Sequence, residues 1–268
     1  MSLDQAPGWY GKLPTLGDFA SRRLGADFIE AWDLWLGDRM AGLREQQGED
    51  WLQAYLDSPV WRFTLTPACL GDAQGMAMAG VLMASVDRVG RYFPLTLVAP
   101  LPRLPANAAE LEGLMSWLHR LEDVAVDALQ DDYTIDQLEA ALALMPAPLP
   151  APGVVASGTD DAEAGVRGEL QRAMEDFARF VSLDAVHGRA TQARLLVEAV
   201  AGASRGTQGH MVSGKAFWLC ESDQGARLLV THGMPARESF IGLFGVPAGT
   251  ARADAADSSG AATSDLPV

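Results

Sequence analysis

Apolar residues recur along the chain with two different periods, which separate predicted helices from predicted strands. Between residues 27 and 45 the large apolar side chains return every three or four positions. This spacing is typical of a helix with one buried face. Asp27 stands where an N-cap is expected, and the face consists of Phe28, Trp32, Trp35, Leu36, Met40 and Leu43. Further helices are predicted at 49–56, 108–130, 136–144, 167–180 and 237–244. The exposed face of the helix at 108–130 is acidic and includes Glu110 and Glu122, which favours a solvated face, with a surface for partner docking as the alternative.

Two neighbouring segments, 75–86 and 93–100, are apolar without a polar face. A strand of this composition is usually covered on both sides, so the pair is predicted in the middle of a sheet. Helices interspersed with strands predict an α/β protein. Shorter strands are predicted at 9–13, 61–65, 216–221 and 227–231.

The composition changes at residues 146–165, where prolines are followed by Gly, Ser, Thr and Asp. Such a segment favours an exposed linker or long loop. It separates an N-terminal α/β block, 1–145, from a C-terminal α/β part, 166–247. The second part is expected either to pack on the same sheet or to form a small second domain. Residues 248–268 have no hydrophobic period and are predicted to be a disordered tail.

The formal net charge of −15 disfavours nucleic acid and anionic lipid as partners. It favours a partner surface that carries Lys and Arg patches, because long-range attraction steers encounter. The two cysteines stand alone in apolar contexts, which fits a reducing compartment. The N-terminus lacks the layout of a signal peptide, and no apolar run approaches the ~20 residues that span a bilayer. These features predict a soluble, cytoplasmic protein without membrane insertion.

The turn between the two buried segments carries Asp87, Arg88 and Arg91. One interpretation is an ion-paired turn in which Gly90 takes a positive φ angle. Surface ion pairs stabilise a protein by only ~0–1 kcal/mol, so stability is a weak reason for this composition. The alternative is recognition of a partner or acidic ligand, because the planar guanidinium suits carboxylates and phosphates. Sequence alone leaves both interpretations open.

Two motifs resemble catalytic signatures without meeting their requirements. In the segment 11–18 the lysine follows the first glycine, whereas a phosphate loop places it after the second. The Gly-x-Ser-x-Gly pattern at 202–206 precedes a predicted loop instead of the helix that a nucleophile elbow needs. The histidines lack metal-ligand spacing. We therefore expect no catalytic set, no metal and no cofactor.

An ordered series of motifs resembles the TagF (ImpM) family, whose members are accessory proteins of bacterial type VI secretion. The series begins at 8–14 and 17–19 and continues through 32–36, 51–63 and 85–97, and a weaker match returns at 216–218, 233–235 and Phe240. The resemblance implies a layered α/β/α sandwich with a mixed, largely antiparallel central sheet. It agrees with the predicted order of strands and helices.

The resemblance also implies a function. TagF-like proteins are thought to repress type VI secretion after translation by binding and sequestering a cytoplasmic forkhead-associated scaffold protein. We therefore expect a non-enzymatic regulator, with a structural accessory component or a phosphate-binding enzyme as alternatives. Asp33 is expected to form a fixed hydrogen bond or to pair with an arginine such as Arg62 or Arg88. The resemblance further implies that Lys12, Asp18 and Arg22 line the same edge as the Asp87 turn. The residues expected to contact the partner are Lys12, Asp18, Arg22, Asp33, Ser85, Asp87, Arg88 and Arg91.

Overall fold

The computed structural model describes residues 6–71, 74–149, 162–184, 191–193, 196, 213–222 and 225–244. Eight described strands form one sheet in the order β2-β1-β5-β4-β3-β7-β8-β6. The strands are β1 (Gly8–Gly11), β2 (Ala20–Arg22), β3 (Trp61–Leu65), β4 (Ala77–Met83), β5 (Leu95–Leu101), β6 (Ala178–Ser182), β7 (Lys215–Ser222) and β8 (Gly225–His232). All pairings between these strands are antiparallel, in agreement with the expected largely antiparallel sheet.

Three helices cover one face of the sheet: α1 (Ala26–Gln47), α2 (Trp51–Leu56) and α6 (Arg237–Phe244). All six apolar residues of the predicted helical face in α1 are buried. The Trp32 ring lies 5.2 Å from the Phe63 ring of β3, and its Nε1 donates to Thr96 Oγ1 at 2.9 Å. The helix begins after Gly25, so Asp27 lies in its first turn and is not the predicted cap.

Three further helices cover the opposite face: α3 (Ala108–Gln130), α4 (Ile135–Ala143) and α5 (Ala162–Glu175). Strands β4 and β5 are enclosed between the two helical layers, as their apolar composition predicts. The architecture is therefore an α/β/α sandwich with an open sheet. Among the described residues, none of the helices combines the length and apolarity needed to cross a membrane.

Two sequence-based expectations about this second layer were wrong. The helix predicted up to Phe180 ends at Glu175, because residues 178–182 pair with β8 as an edge strand. The acidic face of α3 is not entirely solvated. Glu110 is buried against Arg103 and also accepts hydrogen bonds from the backbone amide of Ala106, whereas Glu122 lies beside Arg62 of β3.

The C-terminal strands extend the sheet that the N-terminal block begins, since β7 pairs with β3 from Arg62↔Leu219 to Leu65↔Ala216. Most of the Pro-rich segment, the tail from residue 248 and the Gly-x-Ser-x-Gly pattern lie outside the described residues. Two of the four histidines, His187 and His210, lie outside them as well.

Candidate functional site

The turn between β4 and β5 has a fixed backbone. The amide of Asp87 donates to the carbonyl of Arg91 at 3.0 Å, and the amide of Gly90 donates to the carbonyl of Asp87 at 3.0 Å. Gly90 has a φ of +80°, the left-handed conformation that its sequence position predicted. Ser85, just before the turn, is also fixed in place, because its amide donates to the Tyr55 hydroxyl and its Oγ donates to the carbonyl of Lys12.

The carboxylate of Asp87 is the centre of this turn, and its side chain is 0% exposed. Its Oδ1 accepts from the backbone amides of Val89 at 3.0 Å and Arg91 at 2.9 Å. Its Oδ2 accepts from Lys12 Nζ at 2.6 Å and Arg91 Nε at 2.7 Å. Burial alone would raise the pKa of Asp87, but these donors together hold that pKa well below its usual range. The carboxylate is therefore ionised and fully hydrogen-bonded.

Lys12 reaches Asp87 from the end of β1. Its side chain is buried, and its ammonium nitrogen lies 4.6 Å from the centre of the Phe19 ring. A lysine held in this way faces the interior, so segment 11–18 does not present it to a phosphate. The close approach of Gly11 to Pro94 also explains the glycine: an added Cβ would lie 2.3 Å from the Pro94 carbonyl oxygen.

Three of the residues expected to contact the partner, Lys12, Ser85 and Asp87, lie in the interior of the chain. All three are buried within the chain, where they position the loop and the turn. The Lys12–Asp87 ion pair does join the segment around residue 18 to the turn, as the sequence interpretation required.

The exposed part of the site is a continuous surface formed by the turn and the adjoining loop. The Arg88 amide donates to the carbonyl of Leu16 at 2.9 Å, which attaches the turn to the loop. One Arg91 Nη donates to the carbonyl of Gly17 and lies 3.9 Å from Asp18. We call this exposed region the turn surface; it comprises Asp18, Phe19, Arg88, Val89 and Arg91.

Two members of the turn surface are apolar and were missed by the sequence analysis. Val89 is 63% exposed at the tip of the turn, and Phe19 is 42% exposed beside it. The Phe19 ring stacks on Tyr10 at 5.8 Å and meets Phe93 edge-on at 4.8 Å, so its position is fixed. The signal was present in the sequence, since both residues adjoin the charged positions that were selected.

Arg88 differs from Arg91 in having no charged neighbour. Within the part of the chain that the structure describes, its guanidinium forms no ion pair and no side-chain hydrogen bond. One of its Nη atoms lies 3.7 Å from the position that a Cβ on Gly17 would occupy. The guanidinium thus lies over the loop with its donors directed to solvent.

Asp33 and Arg22 lie outside the turn surface. Asp33 accepts a hydrogen bond from the Tyr10 hydroxyl, so of the two predicted alternatives the fixed hydrogen bond is the one that the structure contains. Asp33 lies in α1, and the Tyr10 ring that it holds stacks on Phe19, so Asp33 helps to fix the position of Phe19. Arg22 pairs with Trp9 in the β1–β2 ladder, at the end away from the turn. It is exposed but does not line the edge that holds Asp87.

The Trp9 end of β1 carries a separate ion pair that the sequence analysis missed. Glu139 of α4 accepts hydrogen bonds from the guanidinium of Arg23 and from Trp9 Nε1, the latter at 2.7 Å. Burial would raise the pKa of Glu139, but these donors lower it overall. This cluster attaches α4 to the edge of the sheet. Within the described ranges, no group of three or more His, Cys, Asp or Glu side chains could hold a metal ion.

Comparison with known proteins places the chain in a family. The crystal structure of PA0076 from Pseudomonas aeruginosa PAO1 at 2.05 Å resolution is similar, with a TM-score of 0.60 and 32% identity. The match covers 90% of this chain and 94% of that chain. None of the curated proteins matches the sequence. The family described as "TagF N-terminal domain, Type VI secretion system-associated" matches residues 8–145, the segment that holds the turn and every strand from β1 to β5. The chain therefore belongs to the TagF N-terminal domain family of type VI secretion system-associated proteins.

Proposed function

We propose that this protein represses type VI secretion by binding a cytoplasmic forkhead-associated scaffold protein through the turn surface, without catalysing a reaction. The partner comes from the family resemblance, and the surface comes from the geometry. The main support for the proposal is the Arg88 guanidinium, which is free of ion pairs within the described residues and directly precedes exposed Val89. Asp87 fixes the turn that carries both residues through four hydrogen bonds. A preordered surface binds with a smaller entropic cost.

The chemistry of the turn surface selects the kind of patch that it binds. It presents two arginines against one aspartate, and two apolar side chains lie among them. Its local charge is therefore positive, although the whole chain carries −15. An acidic patch with an apolar centre on the scaffold is the complement. The global negative charge still favours a partner that is basic elsewhere, because long-range attraction acts over the whole surface.

The structure shows which substitutions test this surface cleanly. Arg91→Glu would place a second carboxylate beside Asp87 and disturb the turn itself. Arg88→Glu and Val89→Asp alter only exposed side chains. We expect each to weaken binding of the purified scaffold by about tenfold or more in isothermal titration calorimetry, as for central contacts of an interface.

The matched control is Arg120→Glu, an equivalent charge reversal at an exposed position on α3. It changes the net charge by the same amount as Arg88→Glu but lies on α3, away from the turn surface, so binding should remain within about twofold of wild type. Circular dichroism establishes that each variant is folded. Equal loss in the control and the test variants would mean that overall charge, not the turn surface, determines binding.

A capture experiment from a lysate distinguishes repression from a structural role. The tagged protein and its Arg88→Glu variant are used to capture partners from a type VI-encoding lysate. Recovery of the scaffold by wild type alone supports the proposal. Recovery of assembled sheath or baseplate in its place would overturn it in favour of a structural accessory component.

A further inference from the structure

A second group of solvent-accessible residues adjoins the turn surface. Arg44 lies in the last turn of α1, Trp51 is the first residue of α2, and Tyr92 directly follows Arg91. Tyr92 forms a β-bridge with Val86 at the base of the turn. Arg44 is exposed, whereas the two aromatic residues are half-buried. We call this group the helix patch; it comprises Arg44, Trp51 and Tyr92.

The three residues of the helix patch hold one another in place. The short link Gly48–Asp50 joins α1 to α2 and brings Trp51 against Arg44, whose guanidinium carbon is 4.4 Å from the centre of the Trp51 ring. Trp51 and Tyr92 meet edge-on, with their ring centres 5.9 Å apart. One Arg44 Nη donates to the carbonyl of Tyr92 at 3.4 Å. The patch is therefore ordered before a partner binds.

The charge of Arg44 is not neutralised by its neighbours. Within the part of the chain that the structure describes, Arg44 forms no ion pair. The adjacent Glu45 pairs instead with Arg237 at 3.0 Å. Glu49 and Asp50 are exposed in the link, and neither forms an ion pair with Arg44. The stack on the indole covers one face of the guanidinium and leaves its donor-bearing edge for another group. A carboxylate suits this edge, because it accepts two parallel hydrogen bonds.

The helix patch has the composition of an interface centre and is contiguous with the turn surface. Trp, Tyr and Arg are the residue types most enriched among the hot spots of protein interfaces. Tyr92 and Arg88 are four residues apart, so their Cα atoms are separated by at most about 14 Å. An interface of ordinary size, with about 800 Å² on each partner, covers this distance. One partner surface can therefore contact both regions.

We propose that the helix patch and the turn surface form one interface, in which Arg44 binds a second carboxylate of the acidic partner. This inference rests on the proposed function and adds a second anchor to it. The partner patch then carries two acidic groups, one for Arg88 and one for Arg44. Tyr92 supplies an apolar ring beside Arg44, as Val89 supplies an apolar side chain beside Arg88.

Substitutions at Arg44 separate binding from stability, because this residue also lies where a cation stabilises the end of a helix. Arg44→Gln removes the charge but keeps hydrogen-bond donors. We expect it to weaken binding of the purified scaffold about fivefold in isothermal titration calorimetry. Arg44→Lys keeps the charge but loses the planar fork and the stack, so its affinity should lie between those of wild type and Arg44→Gln. The matched control, Arg120→Gln on α3, should bind as wild type does.

The salt dependence of binding provides a readout that a purely structural role of Arg44 would not change. Raising the sodium chloride concentration from about 0.05 to 0.5 M screens exposed charge contacts and should weaken binding of wild type. The weakening should be smaller for Arg44→Gln, because one such contact is absent, and unchanged for Arg120→Gln. Circular dichroism establishes that each variant is folded.

The outcomes distinguish this inference from the proposed function. If Arg88→Glu and Val89→Asp lose binding while Arg44→Gln stays within about twofold of wild type, only the second anchor is overturned. Absence of binding by the folded wild type would overturn both proposals. A salt dependence of Arg44→Gln equal to that of wild type would mean that Arg44 supports the fold without contacting the partner. Binding of Arg44→Lys equal to wild type would overturn the paired hydrogen bonds assigned to the guanidinium.

Discussion

Two buried cations on the same sheet are held in different ways. Lys12 meets Asp87 at 2.6 Å, and that carboxylate is fully hydrogen-bonded. Arg62 meets its two carboxylates at 3.2–3.4 Å, and within the described residues its Nε forms an ion pair with Glu122 but no hydrogen bond. The first arrangement has one geometry and supports a rigid surface. The second arrangement is looser, because its contacts are longer and two of its polar atoms form no hydrogen bond within the described residues. Burial of a charge therefore does not by itself indicate its role.

The largest expected effect comes from breaking the first pair. Lys12→Met leaves the Asp87 carboxylate buried without its ammonium partner, and Arg91 compensates only in part. We expect a loss of about 3–5 kcal/mol in the free energy of unfolding, measured by urea denaturation. A loss below about 1 kcal/mol would mean that the turn does not depend on this pair.

Much of the fold could be predicted before these contacts were known. The bounds of β3, α3 and α6 agree with the predicted segments, because apolar period and helix boundaries are local properties. Strand β6 was missed because its identity depends on pairing with β8, which lies 45 or more residues later in the chain. Glu110 was assigned to a solvated face because its partner Arg103 lies in a loop, where helical periodicity carries no information.

The candidate site was predicted less completely than the fold. The charges of the turn were found from composition, and the contact between Lys12 and Asp87 was expected only as a shared edge. The sequence could not assign Lys12 and Asp87 to the interior and Arg88 to solvent, because all are charged residues near turns. The direction of each side chain is set by strand register and by neighbours distant in sequence, such as Tyr55 below Ser85.

A smaller effect is expected from breaking the second cluster. Arg62→Met removes the guanidinium from two carboxylates that are themselves 19% and 36% exposed. Both side chains are partly exposed and their contacts with Arg62 are long, so we expect a loss of about 1–3 kcal/mol in urea denaturation. If Arg62→Met were as destabilising as Lys12→Met, the contrast between a closed and an open charge cluster would fail.

The backbone of the turn provides a third test. In Gly90→Ala an added Cβ meets no atom within 4 Å, so the cost comes only from the positive φ of 80°. We expect a loss of about 1–2 kcal/mol in the free energy of unfolding. The matched control is Gly37→Ala within α1, where an added Cβ also meets nothing. There the change should stabilise the protein by about 1 kcal/mol, because alanine favours helix. The same sign in both variants would contradict the assigned strain.

The smallest expected effect is a difference in pH dependence. Burial raises the pKa of Glu122 above its ordinary 4.5, although Arg62 and His119 oppose the rise. The contribution of Glu122 to the free energy of unfolding is fully present below pH 4.5 and declines as the pH rises through the folded-state pKa. Glu122→Gln should therefore gain stability relative to wild type as the pH is raised from about 4 to 7 in urea titrations.

Asp87 supplies the internal reference for that experiment. Its folded-state pKa lies below the ordinary value of 3.8, so its contribution is present above about pH 4 and is lost as the pH falls further. The loss of stability below about pH 4 should be the same in wild type and in Glu122→Gln. If the two proteins differed in stability only below about pH 4, the assignment to Glu122 would be wrong.

The pairing of β3 with β7 has a consequence for how this protein is built. The family match ends at residue 145, yet the hydrogen bonds on one edge of β3 come from residues 216–219. A chain that ended at the family boundary would expose that edge together with the aromatic side chain of Phe63, which packs against Trp218. Unpaired apolar edges promote association between molecules. The segment that the family model matches is thus smaller than the sheet, and the strands that follow it in the chain complete the sheet.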